Sequence, residues 1–277
     1  MTTWNPPDWY FQAREQNEEA MARGLGWDSI PGDPSPDIFS NEPEPDCGVY
    51  PDYRLVKLNF GFPAGGSNGA RWAQDAEGRA WIVKSYGGNV DRVATELVAN
   101  RIYGIMRARV PIAGLIRVDK KAAIAYPALV GEVRKHCFQD GDEAPSTTLG
   151  DHYMVDALLA NWDFVGLEDD NILWDPSGNP VRLDQGGTFE FRAMGEPKGY
   201  GPVATEVTTL MSEGQAKRAV SVTPEQMRAQ ALLIQERLDF QLLYEVFDQA
   251  PFADEAMRER IHFHLVERMF SLGQLIG

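Results

Sequence analysis

Residues capable of chemistry crowd into two stretches of this 277-residue chain. The first is a glycine-rich loop, Gly65-Gly66-Ser67-Asn68-Gly69, followed by Lys84 at the end of Trp81-Ile82-Val83-Lys84. Backbone amides free of side-chain bulk, next to an ammonium, suit phosphate oxygens. The second runs from Asn161 to Gly187 and carries Asp163, Asn171 and Asp184. An amide and a carboxylate are hard oxygen donors of the kind Mg²⁺ takes together with phosphate oxygens, and a further carboxylate can accept a hydroxyl proton or orient a nucleophile.

Two hairpins must bring these groups together. Asp75-Ala76-Glu77-Gly78 reads as a turn between Ala70–Gln74 and Arg79–Tyr86. Pairing 74 with 79 sets Gly69 opposite Lys84. A second turn centred on Ser177-Gly178 sets Trp174 against Val181, Leu173 against Arg182 and Asn171 against Asp184. Between them, Asp91–Met106 carries an apolar stripe at helical spacing (Val93, Leu97, Val98, Ile102, Ile105), with Glu96, Asn100 and Tyr103 on another face. That face fits either a polar cleft or water. A further hairpin is expected around Asp119-Lys120-Lys121. Beyond residue 128 helices dominate, over Asp151–Trp162, Val203–Glu213, Pro224–Phe247 and Asp254–Leu272.

The order glycine loop, strand lysine, helix glutamate, catalytic aspartate, metal asparagine, metal aspartate resembles the protein-kinase-like fold. Its details are most similar to the atypical branch of HipA-type kinases, actin-fragmin kinase and phosphatidylinositol-kinase-like proteins. The resemblance spans about Tyr53 to Arg192. It implies an α+β, two-lobed fold, with a small antiparallel-sheet N-lobe bearing one helix and a mainly helical C-lobe. It also implies that Gly65, Gly66, Ser67, Asn68 and Gly69 cover the phosphates of ATP, that Lys84 binds them and that Glu96 holds Lys84. Asp163 would be the catalytic aspartate, and Asn171 and Asp184 the Mg²⁺ ligands. Adenine would hang from backbone groups at Tyr126 and Ala128, where a strand leaving one lobe exposes unpaired amides. Arg192 and Lys198 fall in the place of an activation segment, as substrate or phosphate contacts or as a solvated loop.

There are departures. Asp163 and Asn171 are eight apart where the usual loop is Asp-x-x-x-x-Asn, so extra residues bulge out or the carboxylate is Glu168 or Asp169. On the plainer reading, Asp169 and Asp170 are solvated loop charges. No His-Arg precedes Asp163, and no G-x-x-x-x-G-K-[ST] is present.

Composition narrows the partners. Forty-one acidic against 26 basic side chains give a net charge of −15, which repels phosphate backbones and anionic lipid. Nucleic acid and membrane are therefore poor partners, and a protein or basic acceptor is favoured over an acidic one. Only Cys47 and Cys137 are present, without a C-x-x-C, so neither a disulfide framework nor a thiolate metal site can be drawn. No window nears the roughly 18 apolar residues of a membrane span, and the start lacks signal-peptide character, which leads to a cytoplasmic expectation.

Three segments follow: an acidic, proline-rich arm over 1–50, an N-lobe over 51–128 and a C-lobe over 129–277. The arm holds ten acids, two bases and seven of the 18 prolines, with Trp4, Trp9, Tyr10, Phe11 and Trp27 suggesting that it docks on its own body or on a partner. The expected activity is transfer of the γ-phosphoryl of ATP to a hydroxyl, on a protein first. A small-molecule or lipid kinase and an inactive kinase-like assembly protein are the alternatives.

Overall fold

A computed structural model describes residues 59–65, 69–75 and 78–275. The arm, residues 51–58, and Gly66, Ser67 and Asn68 lie outside the described residues.

Five antiparallel strands form the first lobe: β1 (Asn59–Gly65), β2 (Ala70–Gln74), β3 (Ala80–Lys84), β4 (Gly114–Val118) and β5 (Lys121–Pro127), in the order β1-β2-β3-β5-β4. β1 runs through Phe60, Gly61 and Pro63 to Gly65. Among the described residues it is an edge strand, with register shifts either side of Pro63, a place where proline and glycine are tolerated. Asp119 and Lys120 close the β4–β5 hairpin in two residues, both with positive φ, a geometry that matches strand twist.

The β2–β3 register differs from the expected one by a single residue: Gln74 pairs with Ala80 and Arg71 with Val83. The cause is the Asp75 carboxylate. Its Oδ1 accepts the Arg79 amide (2.8 Å), and its Oδ2 accepts the Trp81 indole N–H (3.0 Å). With Asp75 N–H donating to Arg79 O (3.1 Å) and Gly78 at φ +84°, the loop becomes five residues rather than four.

Helix α1 (Val90–Ile105) starts at Asn89, whose side chain accepts the Arg92 amide. Its apolar stripe packs on the sheet, with Val93, Leu97, Val98 and Ile102 fully buried, each stabilising by about 1.5–3 kcal/mol relative to exposure. The opposite, polar face is also buried. Glu96 reaches Lys84, Asn100 donates to Gln185 Oε1 (3.0 Å), and the Tyr103 hydroxyl donates to Asp156 (2.7 Å). Three rungs at helical spacing thus tie α1 to the sheet and to the second lobe, so this face meets protein rather than water.

The second lobe is mainly helical: α2 (Thr147–Gly150), α3 (Tyr153–Leu158), α4 (Glu206–Ser212), α5 (Ala216–Ala219), α6 (Pro224–Arg237), α7 (Phe240–Asp248) and α8 (Glu255–Leu275). The single helix expected over 224–247 is two, because Asp239 caps a new start by accepting the Leu242 amide (2.7 Å). A small sheet orders β6 (Glu132–Val133), β7 (Ile172–Trp174) and β8 (Pro180–Arg182) as β6-β7-β8. Among the described residues no helix is long and apolar enough to cross a membrane.

Candidate active site

Lysine at the end of a central strand has two carboxylates for company. Lys84 Nζ stands 2.9 Å from Glu96 Oε1 and 3.0 Å from Asp184 Oδ1, and 5.4 Å from the Tyr126 ring centre. Burial alone would discharge this amine, but Asp184 and Glu96 together raise its pKa and keep it protonated. Burial pushes the Glu96 carboxyl up, opposed by Lys84. The hydroxyls of Tyr86 and Tyr126 also donate to Glu96, one to each oxygen. Asp184 resists the upward pull of burial because Lys84 and the Gly186 amide (2.8 Å) hold it ionised, below the usual carboxylate range.

The second hairpin also differs by one residue, in the opposite sense: Trp174 pairs with Pro180, and its loop has five residues rather than six. Leu173 pairs with Val181 and Ile172 with Arg182, and Leu183 N–H donates to Asn171 O (2.9 Å), so Asn171 stands across from Leu183 and not Asp184. Asp175 is responsible. Its Oδ1 accepts the Asn179 amide (2.7 Å), its own N–H donates to Asn179 O (2.9 Å), and Gly178 takes φ +79°.

Asn171 meets Asp163 despite their separation in sequence. Its Nδ2 donates to Asp163 O (2.7 Å) and to Asp163 Oδ2 (3.1 Å). The intervening residues fold outward through left-handed backbone at Gly166 (φ +84°) and Asp169 (φ +58°), and a side chain at Gly166 would strike Asp170. Asp169 is fully buried, contrary to the expectation of a solvated charge. It accepts the Phe138 amide (2.9 Å) and pairs with Arg218 (3.0 Å), pinning the bulge to the helical lobe. Glu168 is exposed on Lys135 (2.8 Å). Of the three carboxylates the sequence left open, Asp163 is the one hydrogen-bonded to Asn171. Burial and the neighbouring charge of Asp184 push the Asp163 carboxyl up to about 6, partly offset by Asn171.

Gly65 ends β1 and Gly69 begins the return to β2 at φ +67°, where space is open around its Cα. Because of the register change, Gly69 lies beyond the position facing Lys84. Tyr126 points its hydroxyl at Glu96. The Ala128 amide donates to Ala80 O (2.9 Å), so the expectation of an unpaired amide at that residue is corrected: β3 extends its ladder to meet it.

Lys198 is part-buried and donates to the carbonyls of Ala160 and Gly187. Burial, reinforced by Arg268 and Arg192, lowers its pKa to about 7. It ties the segment after Asp184 to the residues before Asp163, while Arg192 is exposed on a turn closed by Gly195. Sequence reasoning passed over Tyr86, Arg92 and Gln185. The Tyr-Gly-Gly after Lys84 was the available signal for the first, since paired glycines after a strand mark unusual backbone.

Among solved structures, the Helicobacter pylori proinflammatory kinase CtkA aligns over 81% of this chain and 97% of its own, at 14% identity and a TM-score of 0.54. A point mutant of the Mycobacterium tuberculosis PknI kinase domain aligns over 84% and 98% at 13% identity, with a TM-score of 0.34 too low to carry an argument. No family model matches the chain, and no curated protein matches it in sequence. Likeness at such identity speaks to architecture alone, and together with the strand sheet, its helix and the helical second lobe it establishes that this chain has a protein-kinase-like fold.

Proposed function

We propose that this protein is an ATP- and Mg²⁺-dependent phosphotransferase that moves the γ-phosphoryl group to a hydroxyl on a protein acceptor. One observation carries the reading: Lys84 sits between Glu96 and Asp184, and the Asp184 charge acts in turn on an Asp163 whose carboxylate is hydrogen-bonded to Asn171.

The donor set fits Mg²⁺. Asn171 spends its N–H groups on Asp163, which leaves Oδ1 for a cation, and Asp184 is held ionised. Among the described residues no three His, Cys, Asp or Glu side chains are grouped to cage a metal, which suits an ion that completes its shell with phosphate oxygens. Bound there, the ion would neutralise charge on the phosphates. Lys84, kept protonated and aimed by Glu96, fixes the triphosphate. Asp163 orients the acceptor hydroxyl and takes its proton, a role suited to a carboxyl whose pKa lies near neutrality. Most of the rate enhancement in such a site comes from positioning and preorganised charge. The bulge pinned at Asp169 takes up the long Asp163–Asn171 interval and lets the two side chains meet, which supports a catalytic reading. A body of net charge −15 favours a neutral or basic acceptor.

The test is incubation with γ-labelled and, separately, α-labelled ATP in the presence of a protein extract or a metabolite pool, alongside melting curves with Mg·ATP. Label from the γ position should appear on protein, label from the α position should not, and Asp184→Ala should abolish the Mg·ATP-dependent rise in Tm. The absence of both nucleotide-dependent stabilisation and label transfer in the parent would overturn the reading.

A further inference from the structure

Immediately after Lys84 the backbone turns through three successive left-handed residues: Tyr86 (φ +49°), Gly87 (φ +64°) and Gly88 (φ +92°). Glycine adopts this region freely, but a bulky aromatic does not, and such an outlier persists only where its surroundings over-determine it. Here they do. Gly88 N–H donates to Ser85 O (2.7 Å) and Asn89 N–H to Tyr86 O (3.1 Å), closing the turn. The Tyr86 ring is buried beneath the Arg92 guanidinium, 4.2 Å from its centre. Its hydroxyl donates to Glu96 Oε2, while Lys84 and Tyr126 occupy Glu96 Oε1.

The same hydroxyl lies against Gly186, where an added Cβ would collide with it. Gly186 is also the residue whose amide holds Asp184 Oδ1. One phenol therefore touches the helix glutamate on one side and the turn that carries Asp184 on the other. Lys84 spans the same two carboxylates from the strand.

Building on the phosphotransferase reading, we propose that Tyr86 is a positioning residue, which clamps Glu96 and closes on Gly186 so that Lys84 is set between its two carboxylates before nucleotide arrives. The strained backbone is what swings the ring back over α1. An ordinary strand conformation at 86 would carry it along β3. The absence of a side chain at 186 follows, since the clamp occupies that space.

The experiment is a cycle of Tyr86→Phe, Gly186→Ala and the double variant in the full chain, read by kcat and KM for Mg·ATP and by Tm without nucleotide. Tyr86→Phe keeps the ring under Arg92 and should lower kcat by about 10- to 100-fold while KM changes little, as expected when a reacting group is slightly misplaced. Gly186→Ala should lose more activity and some Tm. In the double variant the hydroxyl that the new methyl strikes is gone and only the milder approach to Asp184 Oδ1 (3.0 Å) is left, so activity and Tm should return most of the way to the Tyr86→Phe values rather than show multiplied losses. A Tyr86→Phe variant with parental kcat, or losses that multiply, overturns the proposal. If Gly186→Ala fails to fold, the kcat-against-KM split of Tyr86→Phe decides alone. A parent that neither binds nor turns over Mg·ATP overturns the phosphotransferase reading and the positioning role with it. A parent that turns over ATP beside an unaffected Tyr86→Phe overturns the positioning role only.

Discussion

Two buried charge clusters lie on the same helix, seven residues apart. At Tyr103, Asp156 and Arg182 form a closed set: Arg182 Nε and Nη2 grip the two oxygens of Asp156 at 2.9 and 2.7 Å, Nη2 also reaches Leu149 O (2.7 Å), and Asn161 donates to the Tyr103 hydroxyl (3.0 Å). One cation meets one anion, and both are shut off from solvent. At Glu96 the balance differs. Lys84 meets two carboxylates, Glu96 and Asp184, Asp184 also feels the charges of Arg92 and Asp163, and the Asp184 side chain keeps 26% of its surface exposed. A neutralised, closed set of charges stabilises one conformation. An open set in which one lysine is shared by two carboxylates is suited to receive a cation and an anionic substrate, and burial together with the charge of Asp184 pushes the nearby Asp163 carboxyl up to about 6.

Substitutions separate the two clusters. Asp163→Asn should reduce phosphoryl transfer by roughly 10²- to 10⁴-fold, the usual worth of a placed acid–base group, with no loss of Tm at neutral pH. A variant that lost Tm in proportion to activity would make Asp163 structural and erase the contrast. Arg182→Ala should instead cost about 3–5 kcal/mol by stranding the buried Asp156 carboxylate. For a chain of this size that lowers Tm by roughly 10 °C, measurable by calorimetry. A Tm shift of only a degree or two would show that the closed set is dispensable.

The pH response sharpens the comparison further. Asp163 has a folded-state pKa above its ordinary value of 3.8, so its ionisation opposes folding. That cost is present above about pH 6 and relieved as pH falls through 6 towards 3.8. Asp163→Asn should therefore melt higher than the parent at pH 7 to 8, and the gain should vanish near pH 4. Parental activity should fall on the acid side as Asp163 takes up its proton. A Tm difference independent of pH would contradict this.

Smallest in effect are the turns. Gly78→Ala and Gly178→Ala each place a Cβ on left-handed backbone and should cost about 1 kcal/mol apiece in denaturant titrations. If either is neutral, its glycine is not what sets the register of that hairpin.

The turns also show what could be read without coordinates. The β2–β3 and β7–β8 hairpins were legible as hairpins, and both were one residue out of register, in opposite senses, because both close on the same five-residue loop. Asp75 and Asp175 each donate their own N–H to the carbonyl four residues on and accept the amide of that residue with the side chain, which makes each loop five residues long where four and six were expected. The first residue of an Asp-x-x-Gly turn was taken as a corner when it is a cap. A third turn, Arg192–Glu196, closes with the same backbone pattern and Gly195 at φ +89°, but without a side-chain cap of that kind it carried no sequence signal. Glu96 was legible as a polar helix position and ambiguous as to whether it met protein or water, because helical spacing says which residues share a face and not what the face meets. Asp169 was misjudged because its partners, Phe138 and Arg218, lie about thirty and fifty positions away.

Residue types, their order and their local periodicity were enough to specify a sheet lobe with one helix, a helical lobe, and the identities of lysine, glutamate, asparagine and two aspartates as the groups to watch. Those depend on short-range geometry, which a chain carries in its own spacing. Which of several carboxylates meets Asn171, which side of α1 is buried, and how Tyr86 links Glu96 to Gly186 were decided only in three dimensions. Hydrogen bonds and burial between distant segments depend on where the whole backbone passes, and no local pattern of residues encodes that path.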